Sequence, residues 1–435
     1  MQRIFSAPDW PDWEEKLRQG LPYFQTELPS GKMVSYFDVG GHYQFTSEEV
    51  TMLEQTVADL IEMYIEAGDH VLESGLWERF GIPPWAQKAV EHSWLDFDGT
   101  SPSVYSRFDI RYGGACAAAE RDPTLLVPKL YEFNAQTPTS LPESALTQWQ
   151  WFEELKTRLE AKDQWNGLHE ALIAAWQRNM AMVEARLGYK PIVWFAPSNW
   201  DDSGEDLLNV AYLMDTCRQA GYEVQLIWME DIVRSDQDGR FYAPTGQHLD
   251  VVFALYPWEM TFADNFGKPL VDDIVRGVGP NGGTAWIEPY YKLLWSNKAM
   301  LPVLWKLFGT DSRYGKYLLP SYFQDEMPLG FNDDNYVIKP IFSREGASLT
   351  VIRNGEVVVS MPGRYGKEGS IVQALAAPPA YLNPLTEEFH YPVLGLWAID
   401  CEPYGCGIRE SRGDANAIVT NNLSYFVPQT IGFSA

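Results

Sequence analysis

Apolar residues first fall into a helical stripe at 46–68. Thr46 and Glu49 stand in capping-box spacing, Val50, Leu53, Val57, Leu60, Ile61 and Tyr64 share one face, and Gly68 is the expected stop. Residues 1–45, rich in Trp, Pro and Gly, read as irregular, and 85–93 read as a short helix. VYSRFDIRYG (104–113) alternates as a strand. YEFNAQTPTS (131–140) opens as another, with Tyr131 and Phe133 on one face and Glu132 and Asn134 on the other. Ser140 and Glu143 then have the spacing of a capping box for the next helix, and a further helix covers 168–187.

The middle of the chain alternates between the two periods. PIVWFA (191–196) is a buried strand, 205–220 a helix stopped at Gly221, EVQLIWM (223–229) a strand, and DVVFALYPWE (250–259) and GTAWIEP (283–289) two more. Such alternation predicts a mainly parallel sheet. The last third predicts hairpins instead: NYVIKPIF (335–342), SLTVIRNGEVVVSM around an Asn354-Gly355 turn, SIVQAL, VLGLWAIDCEPYGCGIRES and the tail AIVTNNLSYFVPQ. The fold class expected is therefore mixed α/β and α+β, a parallel βαβ region followed by an antiparallel half.

Length and charge narrow the options. A chain of 435 residues suggests about two or three structural units. A net charge of −26 disfavours nucleic acid and anionic membranes, which need basic faces, and leaves solubility, cationic amines or divalent metals as readings of the acidity. No apolar run approaches the roughly 20 residues of a membrane helix. Cys116, Cys217, Cys401 and Cys406 lack CxxC spacing, so free thiols in a reducing cytoplasm are expected, with a Cys401–Cys406 pair or metal site as the minor alternative. No HExxH or GxxxxGK[ST] motif occurs, and no GxGxxG follows the first strand of the alternating region, so a zinc site, a Rossmann site and a P-loop lack support.

Within an acidic chain, one group of cations stands out. Lys339 interrupts the apolar strand YVIKPIF. Arg344 and Gly346 follow in SREGAS, with Glu345 between them, GRYGKEG (363–369) comes next, and Lys298 stands at a helix start, where the dipole does not favour a cation. Together they suggest a phosphate site; each alone also reads as a surface stem or a salt bridge. Asp109 between Arg107 and Arg111, with Glu132 and Asn134, offers the oxygen donors that magnesium takes, or two salt bridges and a turn. NWDDSGEDL (199–207) places Asp201, Asp202, Glu205 and Asp206 after a strand and before a helix, as first-turn acids or as an ammonium-binding loop.

RFDI, YEFNAQTPTS, WIEPYYKLLWSNKAMLPVLW, YVIKPIFSREGAS and GIRESRGDANAIVTNNLSYFVPQ, in this order over roughly 100–435, make the chain resemble the synthetase domain of the glutathionylspermidine synthase family, and within it the stand-alone members. The resemblance implies an ATP-grasp-type fold, with a helical or irregular region at 1–100, a substrate and metal region at 101–290 and a nucleotide region at 291–435. It implies an ATP- and Mg²⁺-dependent ligase joining a small carboxylate, such as a glutathione-like peptide, to an amine through an acyl phosphate. A nucleotide-binding protein without turnover is the alternative. By position, Asp109, Glu132 and Asn134 match magnesium ligands and Lys298 and Lys339 match ATP contacts. Gln373, Ala374, Leu375 and Ala376 match the segment holding adenine. Arg107, Arg344 and Arg409 match arginines at the reacting groups, Thr137 and Thr139 two serines that contact the acid, and Glu205 and Asp206 acids near the polyamine. The threonines, Pro138 between them and Glu345 are departures, and no Cys–His pair in the first 100 residues implies an amidase.

Overall fold

The computed structural model describes residues 1–27, 31–96, 102–115, 122–200, 203–344, 346–413 and 424–433. Cys116, Asp201, Asp202, Glu345 and the 414–423 part of the last motif lie outside the described residues.

The fold is mixed α/β with several sheets. Four parallel strands run in the order Ala285–Ile287, Val251–Leu255, Ile192–Pro197, Glu223–Leu226. Helices Leu168–Leu187 and Glu205–Gln219 join them in one apolar core, where the Trp176 and Phe195 ring centroids lie 5.4 Å apart. A five-stranded antiparallel sheet has the order Ser321–Phe323, Ser370–Ala374, Tyr336–Pro340, Thr350–Arg353, Glu356–Ser360. Its last hairpin turns at Asn354 and Gly355, both at positive φ (51° and 79°), as the Asn-Gly pair predicts.

The third large sheet joins distant parts of the chain. Its order is Ser424–Val427, Glu402–Gly413, Phe389–Ile399, Tyr105–Arg111, Lys129–Asn134, all antiparallel. Against this sheet packs the helix Ser47–Ser74, whose Tyr64 meets Phe108, Phe133 and Trp295 edge-on.

Three local expectations are corrected. The first helix keeps its capping box, with Glu49 N–H donating to Thr46 Oγ1 (3.2 Å) and Thr46 N–H to Glu49 Oε2 (3.0 Å), but it runs on past Gly68 and stops at Gly75 (φ 63°). Gly68 is a packing residue: a Cβ there would lie 2.2 Å from the Trp94 ring. At Ser140 no capping box forms. Ser140 has φ 67°, the chain enters a π-turn over Glu143–Thr147, and the helix Gln148–Leu155 follows. The first 45 residues are not simply irregular. They hold a helix, Trp13–Gly20, and the short strands Gln2–Ile4, Gln25–Glu27, Met33–Ser35 and His42–Phe45.

One buried ionic cluster pins this N-terminal segment to the rest. Arg3 Nε donates to Glu410 Oε2 (2.8 Å) and its Nη2 to Asp38 (2.7 Å), while Tyr43 Oη and Arg412 also bond Glu410. Burial works against ionising Glu410, but Arg3, His390 and Arg412 hold its carboxyl well below the usual range. Arg3→Met leaves that carboxylate buried without its main cation, so a loss of about 3 kcal/mol is expected in urea denaturation. Arg18→Met, which breaks only the exposed Arg18–Glu15 pair, should cost less than about 0.5 kcal/mol. Equal losses would show that the Arg3 cluster is not a structural anchor.

Candidate functional site

Asp109 and Glu132 face each other on adjacent strands, as do Arg107 and Asn134, but the next pair is Ile110 with Leu130. Tyr131 is therefore an extra residue, a β-bulge. The simple alternation read from the sequence fails here. Leu130 and Phe133 enter the core, and Tyr131 and Glu132 both line one cavity. Phe133 stacks on Phe108 with centroids 3.7 Å apart, which fixes the pair from below. Gly395 lies opposite Asp109 on the neighbouring strand, and a Cβ there would come within 2.7 Å of Arg107 Cδ; its absence lets the Arg107 side chain lie across that strand.

The cavity has a volume of about 320 Å³ and lies between the antiparallel sheets. Asp109, Glu132, Lys298, Lys339, Arg353 and Arg409 are its charged lining residues. Val337, Leu349, Val351, Met361 and the segment Ala374–Ala376 make an apolar part. Arg107 Nε donates to Asp109 Oδ1 at 2.8 Å and Arg409 Nη2 takes the other oxygen. Lys298 Nζ lies 3.1 Å from Glu132 Oε2 and donates to Ser343 O at 2.6 Å. Lys339 Nζ donates to Gln373 Oε1 (2.7 Å) and to Tyr131 O (3.1 Å). Burial opposes the Glu132 charge, yet Lys298, Lys339 and Arg409 pull its carboxyl well below the usual carboxylate range. Burial, with Lys298 nearby, lowers the Lys339 ammonium to about 8 although Glu132 opposes this. The Arg409 charge is disfavoured by burial and restored by Asp109 and Glu132, with a net rise. Four cations against two carboxylates leave the cavity positive inside an acidic protein, an arrangement that suits an anion.

Lys298 and Ser343 also line a smaller adjoining cleft with Asn134, Thr137, Arg344 and Glu259. Arg344 Nε and Nη2 lie 2.9 Å from Glu259 Oε1, and its Nη1 donates to Thr137 Oγ1 at 2.8 Å. Glu259 was not singled out in the sequence. Its signal is its place just after the strand Val251–Leu255, at the carboxyl end of the parallel sheet. Thr139 takes part through its carbonyl, which accepts from Arg107 Nη1 at 2.5 Å. The 363–369 loop contributes no lining residue to the charged cavity.

Glu205 and Asp206 line neither space. Glu205 begins its helix and acts electrostatically on Glu143 and Tyr36, and Asp206 on Tyr105. Glu143, read from the sequence as a capping residue, is instead fully buried. Tyr36 Oη (2.5 Å) and Tyr23 Oη (3.1 Å) donate to its Oε1, and Oε2 has no partner among the described residues. Cys401 and Cys406 are free thiols, and no group of three His, Cys, Asp or Glu side chains suited to a metal occurs among the described residues. A divalent ion here would need donors from a bound ligand. Asp109 and Glu132, adjacent and already paired with cations, with the Asn134 amide along the strand, fit that partial donor set.

Burial and Glu205 raise the Glu143 carboxyl to about 7. It ionises near ~4.3 in an unfolded chain. The folded state thus keeps a proton that the unfolded state releases, and stability falls as the pH rises from about 4 through 7. Glu143→Gln should flatten the pH profile of urea stability by on the order of 3 kcal/mol over that interval. Parallel profiles for wild type and variant would contradict this.

The model describing the glutathionylspermidine synthase preATP-grasp family matches residues 4–432. A candidate acid–amine ligase from Haemophilus influenzae is 31% identical over 437 aligned positions, covering 98% of this chain and 99% of that protein. The bifunctional glutathionylspermidine synthetase/amidase of Escherichia coli is 24% identical over 87% of this chain, which spans only 57% of that protein. Among solved structures, a glutathione synthetase-like effector from Globodera pallida superposes with a TM-score of 0.55 at 12% identity, over 98% of this chain and 100% of that one, a likeness of fold.

Proposed function

We propose, for a chain that belongs to the glutathionylspermidine synthase preATP-grasp family, that this enzyme of the ligase class condenses a small carboxylate with an amine at the expense of ATP. The observation that carries the reading is the junction at Lys298 and Ser343. These residues line both the positive, partly apolar cavity and the cleft that holds Thr137 and Arg344. A nucleotide seated in the first would end beside an acid seated in the second. In this reading the fold is of ATP-grasp type, with the metal and substrate region at 101–290 and the nucleotide region at 291–435.

The assignments follow the chemistry of each residue. A carboxylate is a poor electrophile, and phosphorylating it needs alignment and charge neutralisation more than covalent help. Lys298, Lys339 and Arg409 would hold phosphate oxygens, and the segment Gln373–Ala376 would face the base. Asp109, Glu132 and Asn134 would hold magnesium, which supplies further neutralisation of phosphate charge. Thr137 and Arg344 would bind the acid carboxylate, with Arg107 and Thr139 fixing Asp109 and the adjoining chain. An acyl phosphate formed there would meet an uncharged amine, with Glu205 and Asp206 favouring a cationic amine on its approach. Glutathione-like peptides and polyamines head the substrate classes to test.

ADP release is measured with Mg-ATP against a panel of acids and amines, with mass spectrometry of every hit. A product mass equal to acid plus amine minus water is the expected result. Lys339→Ala should lower turnover by about 10²-fold or more while leaving the circular dichroism unchanged. Unchanged turnover in that variant would sink the assignment, and ATP binding without any stimulated ADP release would favour a non-catalytic nucleotide-binding protein.

The Lys339 ammonium at about 8 adds a pH signature. Phosphate binding favours the protonated form, so nucleotide binding should take up a proton near pH 8 and weaken as the pH rises beyond it. Calorimetry in buffers of different ionisation enthalpy reads this uptake directly, and its persistence in Lys339→Met would assign it to another group.

A further inference from the structure

The linker that follows the strand Ser370–Ala374 borders the apolar end of the cavity with Leu375, Ala376, Ala377 and Pro378. Its main-chain groups are unevenly used. Tyr131 Oη donates to Ala376 O at 2.6 Å, and Arg111 Nε donates to Ala377 O at 2.6 Å. The Ala374 N–H donates to Pro320 O (2.8 Å) and the Leu375 N–H to Asn335 O (3.1 Å). Pro378 has no N–H. Among the described residues, the Leu375 carbonyl and the N–H groups of Ala376 and Ala377 have no partner.

The two captors are themselves fixed. Tyr131 reaches the cavity only because the bulge turns it to the same side as Glu132. Arg111 is 3% exposed; its Nη1 donates to Thr124 Oγ1 at 2.9 Å, and Asp122 pairs with its other amino group. Both stand on the strand pair that carries Asp109 and Glu132, so the linker is tied to the charged end of the cavity.

We infer that Tyr131 and Arg111 are positioning residues that set the base specificity of the nucleotide site. By occupying the carbonyls of Ala376 and Ala377 they leave Leu375 O as the open acceptor directly ahead of the Ala376 and Ala377 donors. A 6-aminopurine offers an exocyclic donor beside a ring acceptor and pairs with that order. A 6-oxopurine presents an oxygen acceptor at the same place, which would set oxygen against oxygen and leave both unpaired. The tyrosine hydroxyl therefore acts on selectivity through the main chain, without touching the base.

This inference rests on the nucleotide reading above, and the test separates the two. Binding of the non-hydrolysable adenosine and guanosine triphosphate analogues, each with magnesium, is measured by calorimetry on wild type, Tyr131→Phe and Arg111→Lys. Wild type is expected to prefer the adenosine analogue. Tyr131→Phe keeps the buried ring, and should lose about tenfold in affinity for that analogue with little change for the other, so that the preference shrinks about tenfold. Arg111→Lys, which retains the charge, should move the same ratio in the same direction. An equal loss for both analogues in Tyr131→Phe, or none, would overturn the positioning role while leaving the nucleotide site in place. So would a wild type that binds both equally. A wild type that binds neither analogue removes the nucleotide reading, and this inference with it.

Discussion

The pairing of Tyr105–Arg111 with Lys129–Asn134, offset by one residue at Tyr131, is the constraint on which the rest of the site depends. In a regular strand, neighbours face opposite sides of the sheet. One unpaired residue changes that rule locally. Leu130 and Phe133 stay in the core, and two adjacent polar side chains, Tyr131 and Glu132, enter one cavity. Asp109 opposite Glu132 then brings two carboxylates together, and the helix Ser47–Ser74, packed through Tyr64 onto Phe108 and Phe133, keeps the pair from shifting.

Placing two carboxylates together in a buried space is costly unless cations accompany them. Here each cation comes from a different part of the chain. Lys298 stands just before the helix Met300–Phe308, Lys339 comes from the five-stranded sheet and Arg409 from the strand Glu402–Gly413. Lys298, Lys339 and Arg409 keep Glu132 ionised against its burial, and Asp109 and Glu132 do the same for Arg409. The resulting cavity still carries surplus positive charge.

The first 45 residues have a structural share in this. Arg3 anchors Glu410, the neighbour of Arg409 on its strand, while Tyr23 and Tyr36 hold the buried Glu143. Tyr36 also acts on the Arg409 charge. A segment with few regular elements of its own therefore sets the electrostatics behind the cavity, because aromatic and guanidinium side chains reach far from short strands.

The sequence by itself determined several of the regular elements. Helix 168–187, the strand–helix alternation of the middle and the Asn354-Gly355 hairpin depend on local periodicity and turn chemistry, which act over a few residues. Local patterning also marked Lys339, a cation in an apolar strand, as a residue needing a partner. Only the tertiary structure decided the rest. Gly68 lies inside the helix from Ser47, where the ring of Trp94, distant in sequence, takes the space of its missing Cβ. Ser140 does not cap because its backbone is left-handed (φ 67°), and the Glu143 carboxyl that would complete the box is instead held by tyrosines from the N-terminal segment. The bulge at Tyr131 and the Glu259–Arg344 pair had no local signature, since each arises from the registration of segments that meet only on folding. Hydrogen bonds and ion pairs between such segments depend on distances that a linear pattern does not contain, and they made one cavity out of residues the sequence could group by charge but not place.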